Sequence, residues 1–490
     1  MLGLDRLGIQ SKLILLLLAV SLLSISTMAL IGYVTGKEAL NRSFENHLKG
    51  IQVAKTNTLK AMLESLKDQV ISMSDSQMAL EGMRAFRQAF RELDSKRLSS
   101  EEEDKLRDFY KKTFLPELGK STEGEPVLDQ YLPVTPAEKY LQYHYIAANP
   151  NPYLRKQDLD ASPTDKSSYG EAHARLHRYF GRAARLFGYE DLMLVDSDTL
   201  SVVYSYQKST DFGTSLETGP YSDTHVGSTI RVMRKARDRD DFKIADFEPY
   251  RPNLGKPMGF AMSPIFDNGK MIGILLLQFP IDNFNIVLTG NFKWADEGLG
   301  ETGECYVVGP DKTMRSRSRF MYSDPVGFLA TLREKGVNPR IISQVERQGN
   351  VMNAVVVNSP SADLALKGQS GILRVTDYRG VDVLSAYGPL DLDSLRWAVL
   401  AEIDASEAFA PIRAFGRTVL VVATAMALAV TILALAASHF LTTPLRVLAE
   451  GARKLGAGET NVVVNLRSRD EFGQLGRVFN SMASSIRDQR

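Results

Sequence analysis

Apolar positions along this chain follow three different rhythms, and each predicts a different kind of element. Two stretches are apolar without interruption. Leu13 to Gly36 carries no charge and is bounded by Lys12 and Lys37, and Thr418 to Leu445 is free of Lys, Arg, Asp and Glu, with His439 near its end. At about 1.5 Å per residue, each predicts a helix able to cross a hydrocarbon core of ~30 Å. The first also has the position of a cleaved signal peptide. Its apolar run is too long for one, however, and Ser24-Ile25-Ser26 is a poor cleavage site, which favours an uncleaved anchor.

Helical spacing takes over between Lys37 and Leu93. Ile51, Ala54, Leu59, Met62, Leu66, Val70, Met73 and Leu80 recur on one face without a proline, predicting one long stalk helix that continues out of the first span. Residues 94–125 are densely charged (Glu101-Glu102-Glu103-Asp104-Lys105), with a short helix around 104–115, and read as a solvated face or excursion. Strand-like runs then appear at Asp191–Val195, Ser201–Tyr206, Gly259–Ile265 and Met271–Phe279. A second set follows at Glu304–Val308, Gly371–Tyr378, Val381–Tyr387 and Leu395–Ile403. Short turns such as Asn268-Gly269 and Arg379-Gly380 close antiparallel pairs, so the fold class is α+β with two successive sheet units.

The C-terminal fifty residues hold the third rhythm. Leu445, Leu448, Ala452 and Leu455 are spaced 3, 4, 3, and Phe472, Leu475, Phe479, Met482 and Ile486 are spaced 3, 4, 3, 4. Such seams are buried only against other helices, and two short ones in a chain predict a four-helix bundle made by two copies. Pro444 at the membrane exit, the Gly458 turn and Asp470-Glu471-Phe472-Gly473 resemble a HAMP domain, the relay just inside the membrane in bacterial receptors. The resemblance makes Pro444, Leu448, Leu455, Glu471, Phe472, Leu475, Phe479 and Met482 the expected signalling positions. It also places both termini in the cytoplasm, a point that the lysines and arginines flanking the spans leave open.

The leading helix and tandem sheets resemble a double Cache sensor, an extracytoplasmic relative of the PAS fold. The stretches that carry this are Tyr140–Pro150, Thr210–Tyr221, Ala261–Asp267 and Gly300–Tyr306. The implied architecture is a cytoplasmic N-terminus (1–12), a first span (13–36) and an extracytoplasmic double Cache sensor (37–412). Within the sensor lie the stalk helix (37–93), a distal unit at about 125–282 and a proximal unit at about 295–405. A second span (418–440) and a HAMP domain (441–490) follow. Such segments occur on chemoreceptors, membrane adenylate or guanylate cyclases, histidine kinases and phosphatases. Any of these is a possible owner, and the protein is expected in the bacterial inner membrane as a dimer.

Composition narrows the function further. A net charge of +1 argues against a nucleic-acid partner, and the single cysteine, Cys305, rules out an intramolecular disulfide. Tyr204, Tyr206, Asp211, Tyr221, Asp246, Tyr250 and Arg251 fall on strand ends and loops of the first sheet. Aromatic walls with a few charged groups suit a small polar ligand, Asp246 pairing with an amine or Arg251 with an acid. The Arg-x-Trp-Tyr signature of amino-acid-binding Cache sensors is absent, so the resemblance does not imply that ligand class.

Two other motifs are set aside. Gly298-Leu-Gly300-Glu-Thr-Gly303 fits a dinucleotide pattern, but a helix precedes it and a strand follows, the reverse of what that motif needs, so it reads as a turn into the second sheet. His173 and His177 share a helical face and could chelate a metal, but Arg175 and Arg178 would repel a cation, so a polar surface helix is expected there. No nucleophile elbow, P-loop or catalytic carboxylate motif is present, and no cofactor, metal or catalytic residue is expected. The chain reaches Arg490 where an output domain would follow, which implies either a piece of a longer enzyme or receptor, or a receptor acting through a separate cytoplasmic partner.

Overall fold

The computed structural model describes residues 8–459 and 461–488, and they divide into two compact units, one comprising Phe44–Ala408 and the other the two chain ends. The larger unit opens with the first helix (Ile9–Ser74), which buries Leu59, Leu63, Leu66 and Val70. The stalk is not one helix to Leu93. It stops at Ser74, and Ser76, in extended backbone, caps a second helix (Gln77–Leu93) by accepting from Ala79 N–H at 3.1 Å. A short, strongly hydrogen-bonding side chain ends the helix here without any proline.

The charged segment that follows is not a solvated excursion. Leu106, Tyr110, Phe114 and Leu118, four apart, are all buried, and the helix Ser100–Phe109 runs into a π turn at Tyr110–Phe114. Its acidic residues form a solvated outer face, the other of the two readings its charge allowed, as an amphipathic helix requires.

Two antiparallel sheets form the rest of the unit. The first has the order β2-β1-β5-β4-β3, from β1 (Asp191–Asp196), β2 (Val202–Ser205), β3 (Lys243–Tyr250), β4 (Lys256–Asp267) and β5 (Lys270–Pro280). The β4–β5 hairpin turns on Asn268 and Gly269, whose φ values of +48° and +82° are those of a tight primed turn. The second sheet, β6-β9-β8-β7, consists of β6 (Glu304–Val308), β7 (Gly371–Thr376), β8 (Asp382–Leu392) and β9 (Leu395–Asp404). β3 falls between the strands expected from sequence. It is an edge strand with an irregularity between Ala245 and Glu248 and carries Pro249, which breaks the alternation that marks strands.

β3 also joins the sheets. Asp246 Oδ2 accepts from Arg315 Nε at 2.9 Å and its Oδ1 from Trp397 Nε1 at 3.0 Å. Asn353 Nδ2 donates to the Phe247 carbonyl at 2.9 Å, and the Phe247 ring lies 5.9 Å from that of Trp397.

The other unit contains the apolar part of the first helix, an exit helix (Ala410–Gly456) and a terminal helix (Glu471–Asp488). The two long helices are long and apolar enough to cross a membrane. They run alongside each other in opposite directions: Gly36 packs against the Phe415 ring at one end, while Gln10 accepts from Ser438 and Arg446 at the other. The exit helix passes through Pro444 without a break.

In the C-terminal hairpin Leu448, Val464, Phe479 and Ala483 form a small core. Asn480 pins the connector by exchanging two 2.8 Å hydrogen bonds with the Val464 backbone. Asp470 caps the terminal helix through Phe472 and Gly473 N–H.

Candidate functional site

The first sheet carries an unusual concentration of buried polar groups. Ser205 through Ser215 is buried without a gap, although it joins β2 to loop structure and contains Lys208 and Asp211. Lys208 holds a left-handed backbone (φ +59°), an uncommon conformation for a residue with a side chain that size. Buried polar groups carry a desolvation cost that hydrogen bonds inside the cluster must offset.

Asp211 is at the centre of one half of the cluster. Its Oδ2 accepts from Tyr250 Oη at 2.7 Å, whereas Oδ1, equally buried, meets no side chain and has only the nearby N–H groups of Asp211 and Phe212, short of good hydrogen-bond geometry. Burial pushes its carboxyl up to about 6. Around it, Tyr221 Oη and Thr210 Oγ1 are 2.7 Å apart, and Tyr153 Oη donates to the Pro252 carbonyl at 2.7 Å. Tyr110 Oη donates to Gln142 Oε1 at 2.6 Å, and Gln142 Nε2 donates to the Thr210 and Phe212 carbonyls at 2.9 and 3.0 Å.

Tyr110 opens one π turn, and a second, Tyr143–Ala147, begins just after Gln142. Such turns concentrate at functional sites because they displace a side chain from helical register. Arg251 stands at the rim, paired with Asp223, its guanidinium 5.7 Å from the Tyr221 ring centre.

The other half of the cluster lies under the helix Ser168–Phe187. His173 and His177 are on its inner face with Tyr169, Leu176 and Phe180, not on a polar surface as expected. Their rings stack 4.5 Å apart, and neither His173 nitrogen meets a side-chain partner. Tyr204 Oη meets His177 Nδ1 at 2.9 Å, the Tyr206 ring stacks on His177, and Lys208 Nζ lies 3.2 Å from His177 Nε2. Asp191 Oδ2 accepts from Ser205 Oγ at 2.6 Å. Burial drives these groups toward their neutral forms: His177 down to about 3, Lys208 down to about 7 and Asp191 up to about 8. Among the described residues no group of three metal-ligating side chains converges.

Of the seven residues singled out from sequence, the structure therefore brings together Asp211, Tyr221, Tyr250 and, at the rim, Arg251. Tyr204 and Tyr206 belong to the histidine half. Asp246 is apart, its carboxylate taken by Arg315 and Trp397. Sequence reasoning missed Tyr110, Gln142, Tyr153 and Lys208, although the four-residue spacing of Leu106, Tyr110, Phe114 and Leu118 marks Tyr110 as an inward position. A separate open cavity of about 410 Å³ lies between the first helix and the first sheet, lined by Met62, Leu66, Gln69, Tyr189, Phe279 and Phe284 among others.

The C-terminal hairpin is half satisfied within one chain. Phe479 (8% exposed) is packed, as is Leu448, and Leu455 joins their edge. Leu475 and Met482 are half exposed (51% and 50%), Phe472 is partly exposed and Glu471 faces solvent. Residues 436–488 match the family model of the HAMP domain. The hairpin is a HAMP domain.

Curated relatives also match. The methyl-accepting chemotaxis protein McpA of Bacillus subtilis (strain 168) is 43% identical over 47 residues, covering 10% of this chain and 7% of its own. The probable chemoreceptor y4sI of Sinorhizobium fredii (strain NBRC 101917 / NGR234) is 23% identical over 329 residues, covering 66% of this chain and 36% of its own. The chain thus spans well under half the length of either relative. The solved ligand-binding domain of the Pseudomonas fluorescens chemoreceptor CtaA in complex with L-leucine aligns with 49% of this chain and 80% of that one, at 12% identity and a TM-score of 0.29. That global likeness is too slight to argue from.

Proposed function

We propose that the protein is a dimeric inner-membrane sensor that binds a small polar molecule outside the membrane and relays the event through its HAMP domain to a cytoplasmic output. The observation that carries this reading is the closed cluster around Asp211, a buried carboxylate with one oxygen that no side chain meets, ringed by Tyr110, Tyr153, Tyr221 and Tyr250. A fold has little reason to keep such a group unless a ligand completes it.

The route of the signal is short. Tyr250 and Asp246 lie on the same strand, so a ligand that moves Tyr250 off Asp211 pulls on the strand whose other residues hold Trp397 of the second sheet and Arg315 in the loop after β6. β9 of that sheet leads through Ala405–Ala408 into the exit helix. The two antiparallel spans agree with both termini on the cytoplasmic side, and the half-exposed Leu475 and Met482 agree with a second copy completing the bundle. Both curated relatives bear chemotaxis names, which favours a chemotaxis output over a cyclase, kinase or phosphatase.

The test is thermal unfolding of the full chain in nanodiscs against a library of small polar metabolites. A ligand at 100 times its dissociation constant that binds only the folded state adds about 2.7 kcal/mol. A saturable rise lost in Asp211→Asn and Tyr250→Phe supports the reading. A rise that survives both but disappears in Met62→Trp moves the site to the open cavity, and no rise with any compound, the chain being folded, refutes a small-molecule sensor.

A further inference from the structure

The glycine turn Gly298–Gly303 occupies the place where the chain enters and leaves the larger unit. Leu299 is fully buried beneath it, and Gly298 and Gly300 have left-handed backbones (φ +81° and +58°). On one side, His47 Nε2 of the first helix lies 3.1 Å from the Gly298 carbonyl oxygen. On the other, the Glu407 carboxylate accepts from the N–H groups of Glu301 and Thr302 at 2.9 and 2.8 Å and from Thr302 Oγ1 at 2.5 Å. Thr302 Oγ1 accepts in turn from Asp404 N–H at 3.1 Å. Arg319 Nη1 closes the turn from below, donating to the Gly300 and Gly303 carbonyls at 2.9 and 2.6 Å.

Each glycine of the motif has a physical reason. A Cβ at 298 would come within 2.6 Å of His47 Nε2, one at 300 would strike the Glu407 carboxylate, and one at 303 would strike the Leu299 carbonyl. The turn therefore works as an anion cradle, as glycine-rich loops do for phosphates, but its anion is the chain's own Glu407. Hydrogen bonds to an ionised acceptor are about twice as strong as neutral ones. His47 lies on the first helix itself, Glu407 lies three residues before the exit helix, and β6 starts at Glu304, one residue beyond the turn.

We propose that this turn is a clamp that couples the two membrane connections of the sensor, holding the helix from the first span and the helix into the second in fixed register and passing movement of the second sheet to both. What it transmits rests on the receptor reading; that it couples the two helices does not.

The experiment uses the full chain in nanodiscs with spin labels at Lys37→Cys and Arg417→Cys, diluted into unlabelled copies; Cys305 is buried and stays unlabelled. Gly300→Ala and Glu407→Ala should each broaden or shift the distance distribution between the labels and accelerate exchange of the Glu301 and Thr302 amides at least tenfold. His47→Ala should change the distribution without exposing those amides. Faster amide exchange with an unchanged distribution in Gly300→Ala and Glu407→Ala overturns the proposal, leaving the turn as a local cap. Unaltered exchange in β5 and β9 shows that the unit is folded. If Gly300→Ala unfolds it, Glu407→Gln, which keeps one acceptor oxygen, decides the matter on the same two readouts. A chain that binds no metabolite yet loses its distance constraint supports the clamp while refuting the receptor reading.

Discussion

Asp246→Ala removes the carboxylate that joins the sheets, and its cost can be worked out from the groups left behind. Arg315 is 2% exposed and Asp246 is itself only 17% exposed, so the variant strands a buried guanidinium. Breaking such a pair from one side costs about 3–5 kcal/mol. Arg315 keeps a second partner in Asp311, at 3.0 Å but half exposed, which offsets about a third of that. Trp397 Nε1 loses its acceptor for about 1 kcal/mol more. The expected loss is about 3 kcal/mol, or roughly 5 °C in a unit this large.

Asp246→Asn keeps an acceptor for Trp397 and should lose about 2 kcal/mol. The chain has two tryptophans, Trp294 and Trp397, both buried in the larger unit, so intrinsic fluorescence follows its melting. A two-unit membrane chain need not unfold in one step, so amide exchange along β3 supplies the local reading. Arg315→Met in the Asp246→Ala background should recover about 2 kcal/mol, because no charge is then stranded. If Asp246→Ala costs less than ~1 kcal/mol, or the two substitutions simply add, the carboxylate does not hold the sheets together and β3 is not the route of the signal.

Two further outcomes follow from the same structure. Burial pushes Glu402 up to about 8 and its cross-strand neighbour Glu304 up to about 7. Folded pKa values raised above the ordinary carboxylate range mean stability that is complete below that range and lost as pH rises through them. The melting temperature should therefore fall between pH 5 and pH 9, and Glu402→Gln, whose carbonyl still accepts from Tyr306, should flatten part of that fall; an equal slope in the variant removes Glu402 as the cause. In the HAMP hairpin, Leu475→Asp should abolish disulfide cross-linking between copies carrying Ser481→Cys while the hairpin within each chain stays helical. Cross-linking that persists means that Leu475 does not face a second copy.

What the sequence showed and what it hid divide along physical lines. The spans, the HAMP seams and β6 were legible because one-sided or uninterrupted burial leaves a period in the chain. β3 was not, because an edge strand with an irregular register and a proline has no such period. Ser76 was equally silent: the apolar stripe resumes on its far side, and a serine cap inside a helical pattern looks like any surface serine. His173 and His177 read as polar, yet their spacing puts them on the stripe of Tyr169, Leu176 and Phe180, and position outweighed polarity. In the candidate site, Asp211, Tyr221 and Tyr250 were reachable because aromatic residues beside loop carboxylates stand out. Tyr110 and Gln142 come from segments far away in the chain, and only the fold brings them to Thr210.

The energetics limit how the cluster can work. Moving a two-state equilibrium from 1:99 to 99:1 takes about 5.5 kcal/mol of differential affinity. The Tyr250–Asp211 hydrogen bond, being to a charged acceptor, supplies at most about 3 kcal/mol when exchanged, and less while burial keeps Asp211 partly protonated. A ligand that merely replaced the tyrosine hydroxyl on Asp211 would therefore leave the receptor poised, not switched. The remainder must come from aromatic contact with Tyr110, Tyr153 and Tyr221, which is available only if the ligand opens the Arg251–Asp223 rim and stays inside. On the proposed reading occupancy and opening are then a single event, and the Arg251–Asp223 pair at the rim would set the concentration at which a ligand is held.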